Sequence, residues 1–174
     1  MYDLVRASDV NCDLSNHERI AAICNEPEVY EWLFRDLFAG RPYEEANARD
    51  WLQWSRDGWS SGTHYVFAVI DDDEGIAAAC DIKSREPNAE IGYWASQRHR
   101  GVMTNAVKAM CALAREAGFR ELFARTKEKN LRSQAVLERA GFERKPSDQR
   151  GYQRFELSLG VDGKKTPNPK NAHC

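Results

Sequence analysis

The sequence predicts an α/β (α+β) fold, a mixed and mainly antiparallel central sheet flanked by helices. Three observations carry that prediction. Apolar residues recur at helical spacing in the N-terminal third, alternate strand-like from Tyr65 to Trp94, and then follow the order helix, strand, helix, strand as far as Leu159. The 174 residues, 42% hydrophobic and 30% charged, suffice for one core and point to neither disorder nor a membrane span. One domain is expected over residues 1–160, with a flexible C-terminal tail over 161–174 that carries Pro167, Pro169 and several lysines.

The elements follow in order. Asn16 is read as the N-cap of a helix over 17–24, and Pro27 precedes a second, aromatic-rich helix over 28–38. A third helix is expected over 43–56, where Ala46, Trp51, Leu52 and Trp54 give a broad apolar face, and Gly58 and residues 60–62 end it. Residues 65–70 are β-branched and aromatic, and the acidic turn 71–75 returns the chain into a strand over 76–83. A turn at Pro87 and Asn88 leads to a third strand, 90–94, completing an antiparallel meander. A helix over 104–117 follows, with Ala106, Val107, Met110, Leu113, Ala114 and Ala117 as its apolar positions and Gly118 as its stop. A short strand over 122–126, a helix over 131–140 closed by Gly141, and a last strand over 152–159 complete the reading.

Charge narrows the functional classes. Lys and Arg total 25 against 27 Asp and Glu, a formal net charge of -2, so no nucleic-acid partner is expected. Residues 1–10 lack the apolar core of a signal peptide and no apolar run is long enough for a bilayer, so a cytoplasmic location and no membrane partner are expected. The five cysteines (Cys12, Cys24, Cys80, Cys111, Cys174) contain no C-x-x-C pair and read as free thiols, with Cys24, Cys80 and Cys111 as small buried hydrophobes. The four histidines show no ligand spacing, and no metal site is expected.

The most informative stretch runs from Glu90 through Tyr93, Trp94, Ala95 and Ser96 into the basic turn Arg98-His99-Arg100-Gly101 and on to Val102, Met103 and Thr104. A strand entering a helix through a glycine turn presents first-turn N–H groups that lack internal partners and lie at the positive end of the helix dipole. Such a turn suits an anion, and Arg98 and Arg100 add charge there. Downstream, Asn130 and Ser133 open a helix that closes on Gly141 and Phe142. Their spacing alone also fits a simple helix cap.

Together the two stretches resemble the GNAT superfamily of acetyl-CoA-dependent N-acetyltransferases, and most closely its RimJ/RimL branch of ribosomal-protein N-terminal acetyltransferase-like enzymes. The family's R/Q-x-x-G-x-G/A turn is matched by Arg98, Gly101 and the following Val102 and Met103. Its N-x-x-S…G-F element is matched by Asn130, Ser133, Gly141 and Phe142, and its E-x-G-Y-W strand by Glu90, Gly92, Tyr93 and Trp94. The likeness covers roughly residues 65–159. His99 stands where glycine is frequent, Met103 replaces the usual small residue, and Leu137 stands where many relatives carry a tyrosine.

The resemblance implies acetyl-CoA (coenzyme A) as acetyl donor and an amine-bearing substrate, either a protein N-terminus or a small molecule. It implies that the third strand splays from its neighbour just after residues 90–94. Trp94, Ala95 and Ser96 would then lie along the cofactor arm, with Arg98, His99, Arg100, Gly101, Val102, Met103 and Thr104 around the diphosphate and Asn130 and Ser133 on the pantetheine. Ser133 is the expected proton donor to the departing sulfur. Glu90 is the expected acceptor of the amine proton, its pKa raised toward neutrality by a partly dry cleft. The aromatic residues Tyr30, Trp32, Phe34, Phe38, Trp51, Trp54 and Trp59 are expected mostly in the core, with one or two bordering the acceptor groove. A monomer or homodimer fits. The other reading, motivated by Met103 and Leu137, is a non-catalytic acetyl-CoA-binding regulatory domain.

Overall fold

The computed structural model describes residues 1–147 and 151–160, so the tail expected over 161–174, with Cys174, lies outside the described residues. The strands β1 (Tyr2–Arg6), β2 (Tyr65–Asp71), β3 (Gly75–Ile82), β4 (Asn88–Ala95), β5 (Glu121–Lys127), β6 (Glu143–Arg144) and β7 (Tyr152–Ser158) form one sheet in the order β1-β2-β3-β4-β5-β7-β6. The meander β2-β3-β4 is present as expected. β1, an edge strand antiparallel to β2, escapes sequence reading because five residues ending in charge show little alternation. The two-residue β6 is too short to have a signal at all.

Helix α1 (Leu14–Cys24) is capped not by Asn16 but by Asp13, whose carboxylate accepts the Asn16 N–H at 2.9 Å. Asp13 stands three residues earlier, the distance at which a cap side chain reaches an orphan N–H. The short α2 (Pro27–Val29) runs into a π-helical turn (Tyr30–Phe34), so the regular helix expected through 38 is broken. The wider turn brings Phe34 and Phe38 onto Tyr43, with ring centroids 4.8 and 5.6 Å away. Helix α3 (Glu45–Ser61) passes through Gly58 instead of stopping there. That glycine leaves room for the His64 ring, since a Cβ would sit 2.3 Å from Nε2. Gly62, at φ 65°, ends the helix.

The sheet separates two cores. Helices α4 (Val102–Glu116) and α5 (Leu131–Ala140) cover one face, burying Val107, Met110, Leu137 and Phe155 against Cys80 and Ile82. On α4 the buried face takes in Met103 and Cys111, whereas Leu113 is 45% exposed, contrary to its expected place. Helices α1 and α3 cover the other face, with Ile20, Ala48 and Leu52 against Val66, Ala68 and Ala79. Burying each large aliphatic side chain here stabilises the fold by about 1.5–3 kcal/mol. Cys24, Cys80 and Cys111 are buried and Cys12 is exposed.

The feature that positions the site is the junction of β4 and β5. These strands are parallel and pair at three positions only, Asn88↔Glu121 to Glu90↔Phe123. Beyond Glu90 they diverge while β4 stays paired with β3 as far as Ala78↔Ala95. The bonds Lys83 N–H to Glu90 C=O and Ser96 N–H to Ala77 C=O, both 2.9 Å, assign the even-numbered residues to β3. The alternate residues Ile91, Tyr93 and Ala95 therefore direct their N–H and C=O groups into the gap. The splay begins at Ile91, inside the stretch after which the resemblance placed it.

Candidate active site

The gap between β4 and β5 opens into a cleft of about 820 Å³, a volume suited to a large cofactor. Trp94, Ala95, Ser96, His99, Arg100, Gly101, Met103, Thr104, Asn130 and Ser133 lie along it, as does Glu90. Of the expected site residues, Arg98 and Val102 stand outside its walls.

The N-terminus of α4 faces this cleft. The other helices of ten or more described residues close their first turns with side chains, α1 through Asp13, α3 through the Glu44–Asn47 capping box and α5 through Asn130. Helix α4 begins at Gly101 with no side-chain cap, so its first-turn N–H groups have no side-chain partner. Gly101 has φ 91°, a left-handed conformation natural only to glycine, and a Cβ there would meet nothing within 4 Å. The open side of the turn is thus available to a ligand. Arg100 and Arg139 line the same cleft and form no ion pair among the described residues, unlike most cations of this surface. Orphan amides, a positive dipole end and two unpaired guanidinium groups fit a diphosphate. Arg139 was missed in the sequence because a basic residue in a helix's last turn reads simply as a dipole partner.

Several expected contacts are corrected. Arg98 pairs with Glu74 at 3.1 Å and points away from the cleft. The His99 ring is 6% exposed, with Nδ1 3.0 Å from Tyr2 Oη and Nε2 3.2 Å from Arg19. It anchors the turn to β1 and α1 in place of a flexible glycine. The side chains of Val102 and Met103 are core residues, so only their backbone N–H groups can face an anion. Trp94 packs on Trp51 at 5.6 Å in the opposite core. The Ser96 hydroxyl donates to Glu26 at 2.6 Å, and the other oxygen of that carboxylate accepts Gln97 N–H at 2.5 Å, holding the turn in place. Glu26 had no sequence signal, being one acidic residue before a proline.

Asn130 is a helix cap, its Oδ1 accepting the Ser133 N–H at 3.1 Å, and so the simple reading of its spacing holds. Ser133 lies across the cleft from β4, its Oγ 2.7 Å from Tyr93 Oη. Burial pushes the Tyr93 phenol pKa above its ordinary value, with Ser133 acting the other way, so the phenol keeps its proton. Leu137, one turn on, is fully buried in the α4/α5 core and has no chemical part.

Glu90 departs most from expectation. Lys83 Nζ donates to Oε1 at 3.0 Å and Arg125 to Oε2 at 2.9 Å. Burial raises the carboxyl pKa, but hydrogen bonds and charge from Lys83 and Arg125 together outweigh it, and the group lies below the usual range. Glu90 is therefore held as a carboxylate, and its expected rise toward neutrality is corrected. On the adjacent strand Asp81 accepts Gly92 N–H at 3.1 Å, and its carboxyl is pushed up, chiefly by burial. A Cβ at Gly92 would lie 3.1 Å from Asp81 Oδ1 and 3.2 Å from Lys83, which explains the glycine of this strand.

Contrary to expectation, none of the seven N-terminal aromatics is fully buried: Phe34, Phe38, Trp51 and Trp59 pack partly buried against the two cores, and Trp54 is 41% exposed. Trp59 packs on Tyr65 and Phe67, Trp54 stacks on His64 at 4.0 Å, and Trp32 reaches the cleft wall beside Glu28, Leu33 and Lys83.

Comparisons with known proteins agree with this fold. No curated protein matches the chain. Among solved structures, a RimL ribosomal L7/L12 alpha-N-protein acetyltransferase in complex with coenzyme A is 17% identical, with TM-score 0.73 over 90% of this chain and 93% of that one. The ribosomal-protein-S5-alanine acetyltransferase from Vibrio fischeri is 15% identical, with TM-score 0.72 over 95% and 94% of the two chains. The microcin C7 self-immunity acetyltransferase MccE, in complex with acetyl-CoA and AMP, is 15% identical, with TM-score 0.67 over 84% and 88%. At such identities these likenesses show the fold. The family model described as "Acetyltransferase (GNAT) domain" matches residues 12–143, most of the chain, and the protein therefore belongs to the GNAT acetyltransferases, which draw their acetyl group from acetyl-CoA.

Proposed function

We propose that this GNAT protein is an N-acetyltransferase of the RimJ/RimL-like branch that acetylates a primary amine. The observation that carries the reading is the uncapped start of α4 at the mouth of the β4/β5 gap, the place where a diphosphate would be gripped. When bound, acetyl-CoA supplies the activated thioester. Free N–H and C=O groups of Ile91, Tyr93 and Ala95 would pair with the amide-bearing arm, and one N–H would polarise the carbonyl. Ser133 gives a proton to the leaving sulfur without itself carrying charge beforehand.

Glu90 does not act as a neutral-range base in this account. Held as a carboxylate beside Lys83 and Arg125, it orients the incoming amine, whose proton leaves through water in the cleft. Holding amine and thioester together supplies much of the rate. The acceptor enters on the side of Trp32 and Leu33, which line the cleft together with Glu90. The ribosomal-protein substrates named for RimL and the Vibrio fischeri enzyme support a peptide N-terminus as acceptor, and a small-molecule amine is the other member of the class.

The test is release of free thiol from acetyl-CoA with a panel of peptide and small-molecule amines. Acceptor-dependent release supports the reading. Tight acetyl-CoA binding without release by any amine would instead make the protein a binding domain.

A further inference from the structure

We infer that Tyr93 is a positioning residue for the proton-transfer step, setting the direction in which the Ser133 hydroxyl offers its hydrogen. The inference rests on the proposed role of Ser133 and adds a second hydroxyl to it. Tyr93 stands on β4 where the strand has left β5, and its side chain crosses to the first turn of α5. There Oη lies 2.7 Å from Ser133 Oγ and 3.0 Å from Ser133 C=O.

Counting hydrogens gives this contact its meaning. A phenol has one proton and two places to put it. When Tyr93 donates to the Ser133 carbonyl, the 2.7 Å contact requires Ser133 Oγ–H to point back at Tyr93, away from the cleft. When Tyr93 donates to Oγ instead, the serine hydrogen is freed toward the cleft, and accepting a hydrogen bond makes that hydroxyl a better donor. Burial keeps the phenol protonated in both arrangements. Tyr93 therefore directs a proton without giving one up.

The step balances. The amine nitrogen forms the C–N bond, the C–S bond breaks, and its electron pair leaves on sulfur. Sulfur takes the Ser133 hydrogen, and the excess proton of the amine passes to cleft water and from there back to Ser133. Amide and free thiol are the products, and Tyr93 is unchanged. Leu137, buried one turn beyond Ser133, carries no proton to give, whereas Ser133 and Tyr93 both line the cleft.

The experiment is a kinetic cycle of Tyr93→Phe, Ser133→Ala and the double variant, with acetyl-CoA affinity and melting temperature measured on each. Tyr93→Phe keeps the ring and its packing. It is expected to lower kcat about tenfold, a share of the roughly 10²–10⁴-fold that a general acid contributes, with acetyl-CoA affinity unchanged. In the Ser133→Ala background the same change is expected to do nothing further, because the hydroxyl it orients is gone. A purely structural role predicts the same proportional loss in both backgrounds. Full activity in Tyr93→Phe, or an additive double variant, overturns the inference while leaving Ser133 as donor. Full activity in Ser133→Ala overturns the donor role itself.

Discussion

Replacing Gly101 with alanine separates the shape of the α4 turn from its charge. At φ 91° an L-residue is strained by about 1–2 kcal/mol, and no neighbour within 4 Å adds a clash. Stiffening of the unfolded chain offsets about 0.4–1 kcal/mol of that strain. The net loss near 1 kcal/mol corresponds to a melting-temperature drop of about 2–4 °C for a chain of this size, so the variant should fold. Cofactor affinity should suffer far more. If the turn relaxes out of the left-handed region, at least one amide no longer points at the diphosphate, and a hydrogen bond to a charged group contributes about 1.5–3 kcal/mol. Coenzyme A should then bind roughly 10- to 100-fold more weakly. Scanning calorimetry and a coenzyme A titration on the same preparation give both numbers. A variant that melts as expected yet binds coenzyme A like the wild type would refute the reasoning.

Three further outcomes are expected. Because Glu90 has a depressed pKa, its ion pairs with Lys83 and Arg125 are present above the ordinary carboxyl range and are lost only as pH falls through the lower folded value. Any neutral-range limb of the kcat/KM profile should therefore survive in Glu90→Gln, and its disappearance there would restore Glu90 as base. Asn130→Ala removes the α5 cap, which should cost about 1 kcal/mol of stability and lower kcat by misplacing Ser133; urea midpoints and kinetics check both. Burial raises the Cys24, Cys80 and Cys111 thiols, that of Cys111 to about 12, from 9.0. Folded values above unfolded ones mean the stability is intact below pH 9 and declines above it, by up to about 1.4 kcal/mol per thiol per pH unit. Urea midpoints unchanged between pH 8 and 10 would contradict this.

Helix α5, the meander and the α4 turn were legible because each has a local signal: a glycine stop, an alternating run, a strand entering a helix through glycine. The candidate cofactor residues were legible as a segment but not as side chains. The sequence shows Arg98, His99 and Arg100 as equivalent basic neighbours, whereas Glu74, arriving from a distant element, takes Arg98 out of the cleft, and Tyr2 and Arg19 engage both ring nitrogens of His99. Glu90 failed for the same reason. Its pKa depends on Lys83, just past the end of β3, and on Arg125 of β5, and strand register is not readable from a single chain. Tyr93 was visible only as part of a motif, because its partner stands 40 residues away.

Titration calorimetry with acetyl-CoA and with acetyl-pantetheine, which lacks the diphosphate and nucleotide, asks whether the start of α4 grips a diphosphate. The geometry predicts clear heat with acetyl-CoA and binding weaker by at least about 100-fold for the truncated thioester, the loss of two or more charge-assisted hydrogen bonds. Equal affinity for the two, or no heat with acetyl-CoA on folded protein, would contradict it.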